Sequence, residues 1–183
     1  VSGAIAPGLK AEVPGVEAAT RLNDIGKSVF YTDDKKSYEA RFSLADEYLP
    51  EVLPRPMISG NPVQILSSPM TCMVSDKIAA EIGGDVTGKI IELKEYPGKK
   101  LTIAGVFKAL PENTNYEYDV LISMVSTNQF FSHDGSMNWL GNDRYYAAVK
   151  LAPGVNPESL APAVRKMQEK HQDIVKLEQQ QQG

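Results

Sequence analysis

One cysteine, two histidines and one tryptophan are spread over 183 residues, and each scarcity closes off a kind of chemistry. Cys72 alone excludes an internal disulfide framework and any zinc site built on several thiolates. It lies in the apolar run Met70 to Val74, which reads as a buried small hydrophobe rather than a reactive thiol. His133 and His171 stand far apart, with no HExxH and no facial triad around them, so no metal site is expected. No stretch approaches the roughly 18 consecutive apolar residues that span a bilayer. Val1 to Pro7 lacks the charged and then apolar regions of a signal peptide. A chain running from Val1 to Gln179-Gln180-Gln181-Gln182-Gly183 reads as a trimmed segment of a longer protein. The net charge is −4 with both signs well mixed. No basic face for neutralising phosphates results, and nucleic acid is not an expected partner. No internal repeat is visible.

What is present supports a packed domain. Hydrophobic residues make up 42% and charged residues 23%, near globular averages, and a chain of this size buries about 70% of its surface. Residues 3–12 predict a short helix, stopped by Pro14-Gly15. Val16 to Leu22 and Ser28 to Thr32 read as two strands. Asp33 to Lys36 forms a charged turn, and Ser37 to Leu44 alternates apolar and polar residues as a half-buried strand does. The prolines at 50, 54, 56 and 62 predict an irregular packed connector. Thr71 to Val74 is a buried strand. Ser75 caps a helix carrying Ile78 and Ile82, which Gly83-Gly84 ends. Lys89 to Lys94 and Lys100 to Phe107 form a hairpin over Tyr96-Pro97-Gly98-Lys99. A turn over 111–115 precedes a strand from Tyr118 to Met124. Residues 126–144 read as a long polar loop with room for a helical turn, and Tyr145 to Leu151 as a strand. A final amphipathic helix beginning near Ala161 carries Leu160, Val164, Met167, His171, Ile174 and Val175. The tail over 179–183 is expected to fray. The order of elements predicts an α+β fold with a largely antiparallel sheet.

Candidate chemistry is thin. Gly83 to Lys89 fits the first seven positions of GxxxxGK[ST], yet a helix precedes it, a strand follows, and Ile90 stands at the Mg²⁺-binding position. It reads as a helix terminus running into a turn. His133-Asp134 are adjacent, which on a strand sends them to opposite faces. Asp33/Asp34 and Asp46/Glu47 sit in turn-like contexts and read as solvated carboxylates. No GxSxG marks a serine nucleophile. Phe130, Phe131 and Trp139 stand in the polar 126–144 stretch. Exposed, they would form a partner-binding patch; tucked in, they would anchor the loop. No catalytic, cofactor-binding or metal position is expected, and the enzymatic alternative is a hydrolase using His133.

Five blocks in order carry a family resemblance. Pro14 to Leu22 resembles a P-x-V-E-x-x-x-R opening, and Arg41 to Val52 resembles an ADxxFFDVF stretch, with Leu49-Pro50 where two Phe are usual. Ile58-Ser59-Gly60-Asn61-Pro62 resembles an L-x-G-N-P turn. Ser75 to Asp85, then Gly88-Lys89, is similar to S-x-x-x-A-x-x-x-F-G-D…G-K, with Ile82 replacing Phe. Ile103 to Thr114 with Asp119 to Ser123 resembles VxGVxKDLPENS…DxLxS. These blocks resemble the MacB-like periplasmic core domain of FtsX/MacB-type ABC transporter permeases, in a Bacteroidetes-like branch.

The resemblance implies a porter-like α/β-sandwich subdomain formed by both chain ends, residues 1–44 and 111–178. A mostly β subdomain, 45–110, would be inserted between them. It further implies a non-catalytic domain between two membrane helices of an inner-membrane protein, facing the periplasm. Motion there would be coupled to a cytoplasmic ABC ATPase, for export or signalling. A homodimer or an adaptor protein is the implied further partner. A freestanding periplasmic or cell-surface binding protein is the alternative.

Overall fold

The computed structural model describes residues 1–111, 114–141 and 143–172. Ile174, Val175 and the glutamine run lie outside the described residues, as do Glu112 and Asn113 of the expected turn. The fold is α+β. Helix α1 (Ile5–Glu12) leads into β1 (Val16–Thr32) and β2 (Ser37–Ala45); α2 (Leu49–Val52), β3 (Met57–Ser59) and α3 (Pro62–Ser67) follow. Then come β4 (Thr71–Ser75), α4 (Asp76–Ile82), β5 (Ile90–Leu93), β6 (Lys100–Phe107), β7 (Val120–Ser123) and α5 (Thr127–Phe130). Strand β8 (Tyr145–Leu151) and helix α6 (Ala161–His171) complete the chain.

The strand pairings close on themselves. Along β2-β7-β4-β6-β5-β1 each strand bonds to the next, and β1 bonds back to β2. One side chain from each of the six, Phe30, Phe42, Cys72, Ile91, Ile103 and Ile122, is fully buried in one cluster. A ring this small is filled by its own side chains and leaves no channel. Two pairings, β2 with β7 and β4 with β6, are parallel and the rest antiparallel. Parallel neighbours need long crossovers, supplied here by the connectors that carry α2, α3 and α4.

Two further cores lie outside the ring. Leu49, Ile65 and Leu66 of α2 and α3 pack on Met73, Phe107 and Leu121. Ala6, Val13 and Met167 of the α1 and α6 region pack on Val16 and Ala19 of β1. The strands of 45–110 are bonded to strands outside that segment, β4 to β7 and β5 to β1.

Two expectations need correction. The strands expected over 16–22 and 28–32 are one strand of 17 residues. The polar stretch between them still has its backbone bonded to β2, across an irregularity at Asp24/Gly26 where Asp24 Oδ1 accepts the Gly26 N–H at 2.9 Å. The proline-rich connector holds regular structure, because Pro62 occupies the first turn of α3, where no N–H is needed, behind the Asn61 cap. The 126–144 stretch contains the helical turn its sequence allows, the four-residue helix α5 over Thr127–Phe130.

Gly60 marks a tight crossing. Its φ is +84°, and a Cβ there would lie 2.6 Å from the Ala104 carbonyl oxygen and 2.9 Å from the Ile65 methyl. Gly98 has the same kind of backbone, φ +82°, in open space. Gly98→Ala should cost about 1 kcal/mol for left-handed strain alone. Gly60→Ala should cost about 3 kcal/mol, with the overpacking added. Urea unfolding measures both, and equal losses would refute the close-packing account.

Candidate partner-binding surface

The chemistry-bearing residues are placed without a reactive geometry. Cys72 is fully buried and burial pushes its thiol strongly upward, so it stays a thiol. The glycine-rich segment follows the end of α4 and precedes β5, and its Lys89 Nζ donates back to the Gly83 carbonyl at 3.1 Å. It leaves a helix C-terminus and leads into a strand, not into the helix N-terminus that a phosphate cradle uses. His133 is exposed, while its neighbour Asp134 accepts the Ser136 N–H at 2.9 Å in a local turn. Among the described residues no cluster of His, Cys, Asp and Glu could hold a metal ion.

Asp46 corrects the expectation of a solvated carboxylate, for it is buried. Oδ1 accepts the Thr20 hydroxyl at 2.5 Å, and Oδ2 accepts the Arg21 N–H at 3.2 Å and its Nε at 3.3 Å. From the other end of the guanidinium, Nη1 donates to the Gly3 carbonyl at 2.9 Å and to that of Ser136. One arginine thus joins β1, the β2–α2 connector, the N-terminal segment and the 131–141 loop. Burial pushes the Asp46 carboxyl above its ordinary 3.8, against the hydrogen bonds from Thr20 and Arg21 that favour the charged form. Sequence reading set Asp46 beside Glu47 and passed over Arg21, although an arginine inside the strand Val16 to Leu22 is a visible signal of a partner.

The three aromatics do not form one patch. Phe130 is buried and meets Tyr96 edge to face at 5.3 Å, with Phe131 on the same tyrosine at 6.2 Å. Trp139 lies elsewhere, stacked flat on His171 at 3.9 Å. It packs so close to Gly8 of α1 that any side chain there would strike its ring. All three therefore tie the 126–144 segment down, at two different places. His171 also bonds Glu12 of α1, and Lys170 pairs with the same carboxylate at 3.0 Å. The hydrogen bonds to His171, first, and Lys170 hold the Glu12 carboxyl below its ordinary 4.5.

Beside this clasp an apolar groove of about 640 Å³ runs between α1, α6 and β8. Leu9, Val13, Val149, Leu151, Leu160 and Val164 line it. Sequence reading missed the groove, because its walls come from both ends of the chain and look like ordinary core positions.

Comparison with known proteins narrows the class that the fold leaves open. The family model described as MacB-like periplasmic core domain matches residues 2–167. The chain belongs to that family, and is a periplasmic domain of the MacB-like permease type. A domain of a putative permease from Porphyromonas gingivalis is 39% identical, with a TM-score of 0.86, over 95% of this chain and 79% of that one. The periplasmic region of MacB from Actinobacillus actinomycetemcomitans is 11% identical, with a TM-score of 0.69, over 93% and 73%. The extracellular domain of the ABC-type transporter YknZ from Gram-positive bacteria is 14% identical, with a TM-score of 0.68, over 93% and 84%. The last two share the fold. No relative was found among functionally curated proteins. Among the described residues no helix is long and apolar enough to cross a membrane.

Removing one partner of a buried pair strands the other, so Asp46→Ala should lower stability by about 3 kcal/mol. Asp46→Asn keeps an acceptor for Thr20 and should cost about 1 kcal/mol. Because folding raises the Asp46 value, this group makes stability fall as pH rises from the ordinary 3.8 through the raised folded value. Urea titrations of the wild type and Asp46→Asn across that window should differ in slope, and identical pH profiles would contradict the assignment.

Proposed function

We propose that this chain is the non-catalytic extracytoplasmic domain of an inner-membrane ABC transporter permease. In this reading it relays conformational change, driven by a cytoplasmic ABC ATPase, for export or signalling. The observation that carries the reading is the joining of the two chain ends. Helices α1 and α6 lie on the same face of β1, and Glu12 binds both Lys170 and His171 across them. If each end leads to a membrane helix, relative movement of those helices enters the domain at one place and acts on a single rigid layer. A unit built from both chain ends, with an inserted mostly β unit, remains part of the proposal. Its first half is supported by the α1–β1–β8–α6 layer. A homodimer or an adaptor would dock on the surfaces that this layer leaves open.

Membrane fractionation of the full-length protein, with protease challenge of spheroplasts, tests the placement. The expected result is an integral membrane protein whose domain is cleaved from outside. A full-length product released in soluble form would favour the freestanding binding protein instead. The relay is tested by a short bifunctional crosslinker between Glu12→Cys and His171→Cys in the full-length protein with its ATPase. Crosslinking should depress ATP turnover about tenfold or more if the ends must move. Unchanged turnover would remove the relay from the proposal.

A further inference from the structure

A small polar pocket stands on the outer face of the ring, on the sheet's surface rather than at the β8 edge to which Val1 bonds. Its floor is the β1–β2 ladder. Phe42 is turned into the ring core, so its neighbours Arg41 and Ser43 share the opposite face of β2. Asp24 of β1 stands across from Ser43. Tyr116 and Glu117, in the segment before β7, form one wall, and Tyr146 of β8 forms the other. The space of about 310 Å³ is room for about ten waters, or for one ring of about a dozen heavy atoms. Ser43 is 3% exposed, yet it lines the pocket and its hydroxyl bonds to no described residue. Arg41 Nη2 donates to Asp24 Oδ2 at 2.5 Å, and Nη1 lies 3.9 Å from Glu117. Its buried Nε is left without a partner among the described residues. The rings of Tyr116 and Tyr146 meet at 90° with centroids 5.9 Å apart, and Tyr146 is 53% exposed. Unmatched polar groups at such depth are costly unless something in the pocket meets them.

We propose that this pocket binds one sugar ring, a neutral polyhydroxyl ligand that packs its C–H face on the tyrosine corner and sets its hydroxyls against Ser43, Arg41 and Asp24. Charge decides against other small ligands. The charged residues of the lining are Asp24, Arg41 and Glu117, and the single cation is already shared between the two carboxylates. An incoming anion would have to take Arg41 from them, and an incoming cation would meet Arg41 itself. A hydroxyl needs neither exchange. It donates to a carboxylate, or accepts from the guanidinium or the serine, and leaves the ion pair in place. The tyrosines supply the rest of the attraction. An aromatic face is negative, and the C–H face of a pyranose carries small positive charges, so the two pack flat. Water alone satisfies a buried hydroxyl, but it gives no account of two tyrosines set at right angles on the rim. This site does not rest on the relay proposed above.

The test maps amide chemical shifts of the whole chain by NMR during titration with glucose, N-acetylglucosamine, maltotetraose and chitotetraose, with choline and citrate as charged controls. At least one sugar should move the amides of Ser43, Tyr116 and Tyr146 with a Kd of about 1 mM or tighter. Choline and citrate should leave them unmoved at about 10 mM. A tetrasaccharide that binds more tightly than its monosaccharide marks a glycan chain as the source, and equal binding marks a free sugar; either supports the site. Tyr146→Ala should weaken binding about tenfold, and Ser43→Ala about fivefold. Tyr48→Ala removes a tyrosine as exposed as Tyr146, at 52%, but outside the pocket, and should change nothing. Should Tyr146→Ala disturb β8, Ser43→Ala carries the test alone. No shift with any sugar at about 10 mM, movement of the same amides by choline or citrate, or undiminished binding by the pocket variants would overturn the proposal.

Discussion

Strand β1 runs for 17 residues, about three times the usual strand length, and almost every other element is placed by what bonds to it. Its first half carries β8 on one edge, its last residues carry β5 on that same edge, and its middle carries β2 on the other. The ring cannot close unless β1 continues without a break from Leu22 to Thr32. The helical layer cannot form unless its first half extends beyond the ring. Both demands fall on the same residues near Asn23 to Lys27, where the chain is polar because one side of the strand passes from one core to another. The irregularity at Gly26 takes up the change in twist that this passage requires.

The positions that carry the family resemblance turn out to be structural at nearly every point. Arg21 of the first block and Asp46 of the second are each other's partners in the buried network. Asn61 and Ser75 cap α3 and α4, accepting the N–H of Gln64 and Ile78. Lys108 and the Ala109 N–H both bond Asp76 at the start of α4, at 2.7 and 2.9 Å. Asp119 accepts the Arg41 N–H at 2.9 Å, and the Ser123 hydroxyl donates to the Leu66 carbonyl at 2.6 Å. These contacts hold the fold together. They fix where crossovers start and stop, and they leave the choice of partner to the surfaces between.

Local elements with a clear period or cap were legible in the chain. Lys100 to Phe107 and Tyr145 to Leu151 are strands at the expected bounds, α6 begins at Ala161, and Ser75 caps α4. What could not be read is non-local. Whether two strands are one depends on β2 bonding the polar residues between them, and the parallel pairings depend on crossovers that no local pattern records. Asp46 looked solvated because its neighbours form a turn; only the fold brings Thr20 and Arg21 over it. The groove is the extreme case, since Leu9 and Val164 are ordinary apolar helix positions until the chain ends meet.

The buried Arg21–Asp46 pair and the open groove are two sides of one arrangement. Burial works against the ionised Asp46, so the pair is a weak source of stability. What it does secure is position, because Arg21 also holds the carbonyls of Gly3 and Ser136. Those contacts fix the segment leading into α1 and the loop that delivers Trp139 to Gly8 and His171. The separation of α1 from α6, and with it the width of the groove, is thereby set from the polar side by Arg21 and from the far end by Glu12. An apolar slot whose walls are held apart by polar contacts cannot collapse to hide its surface.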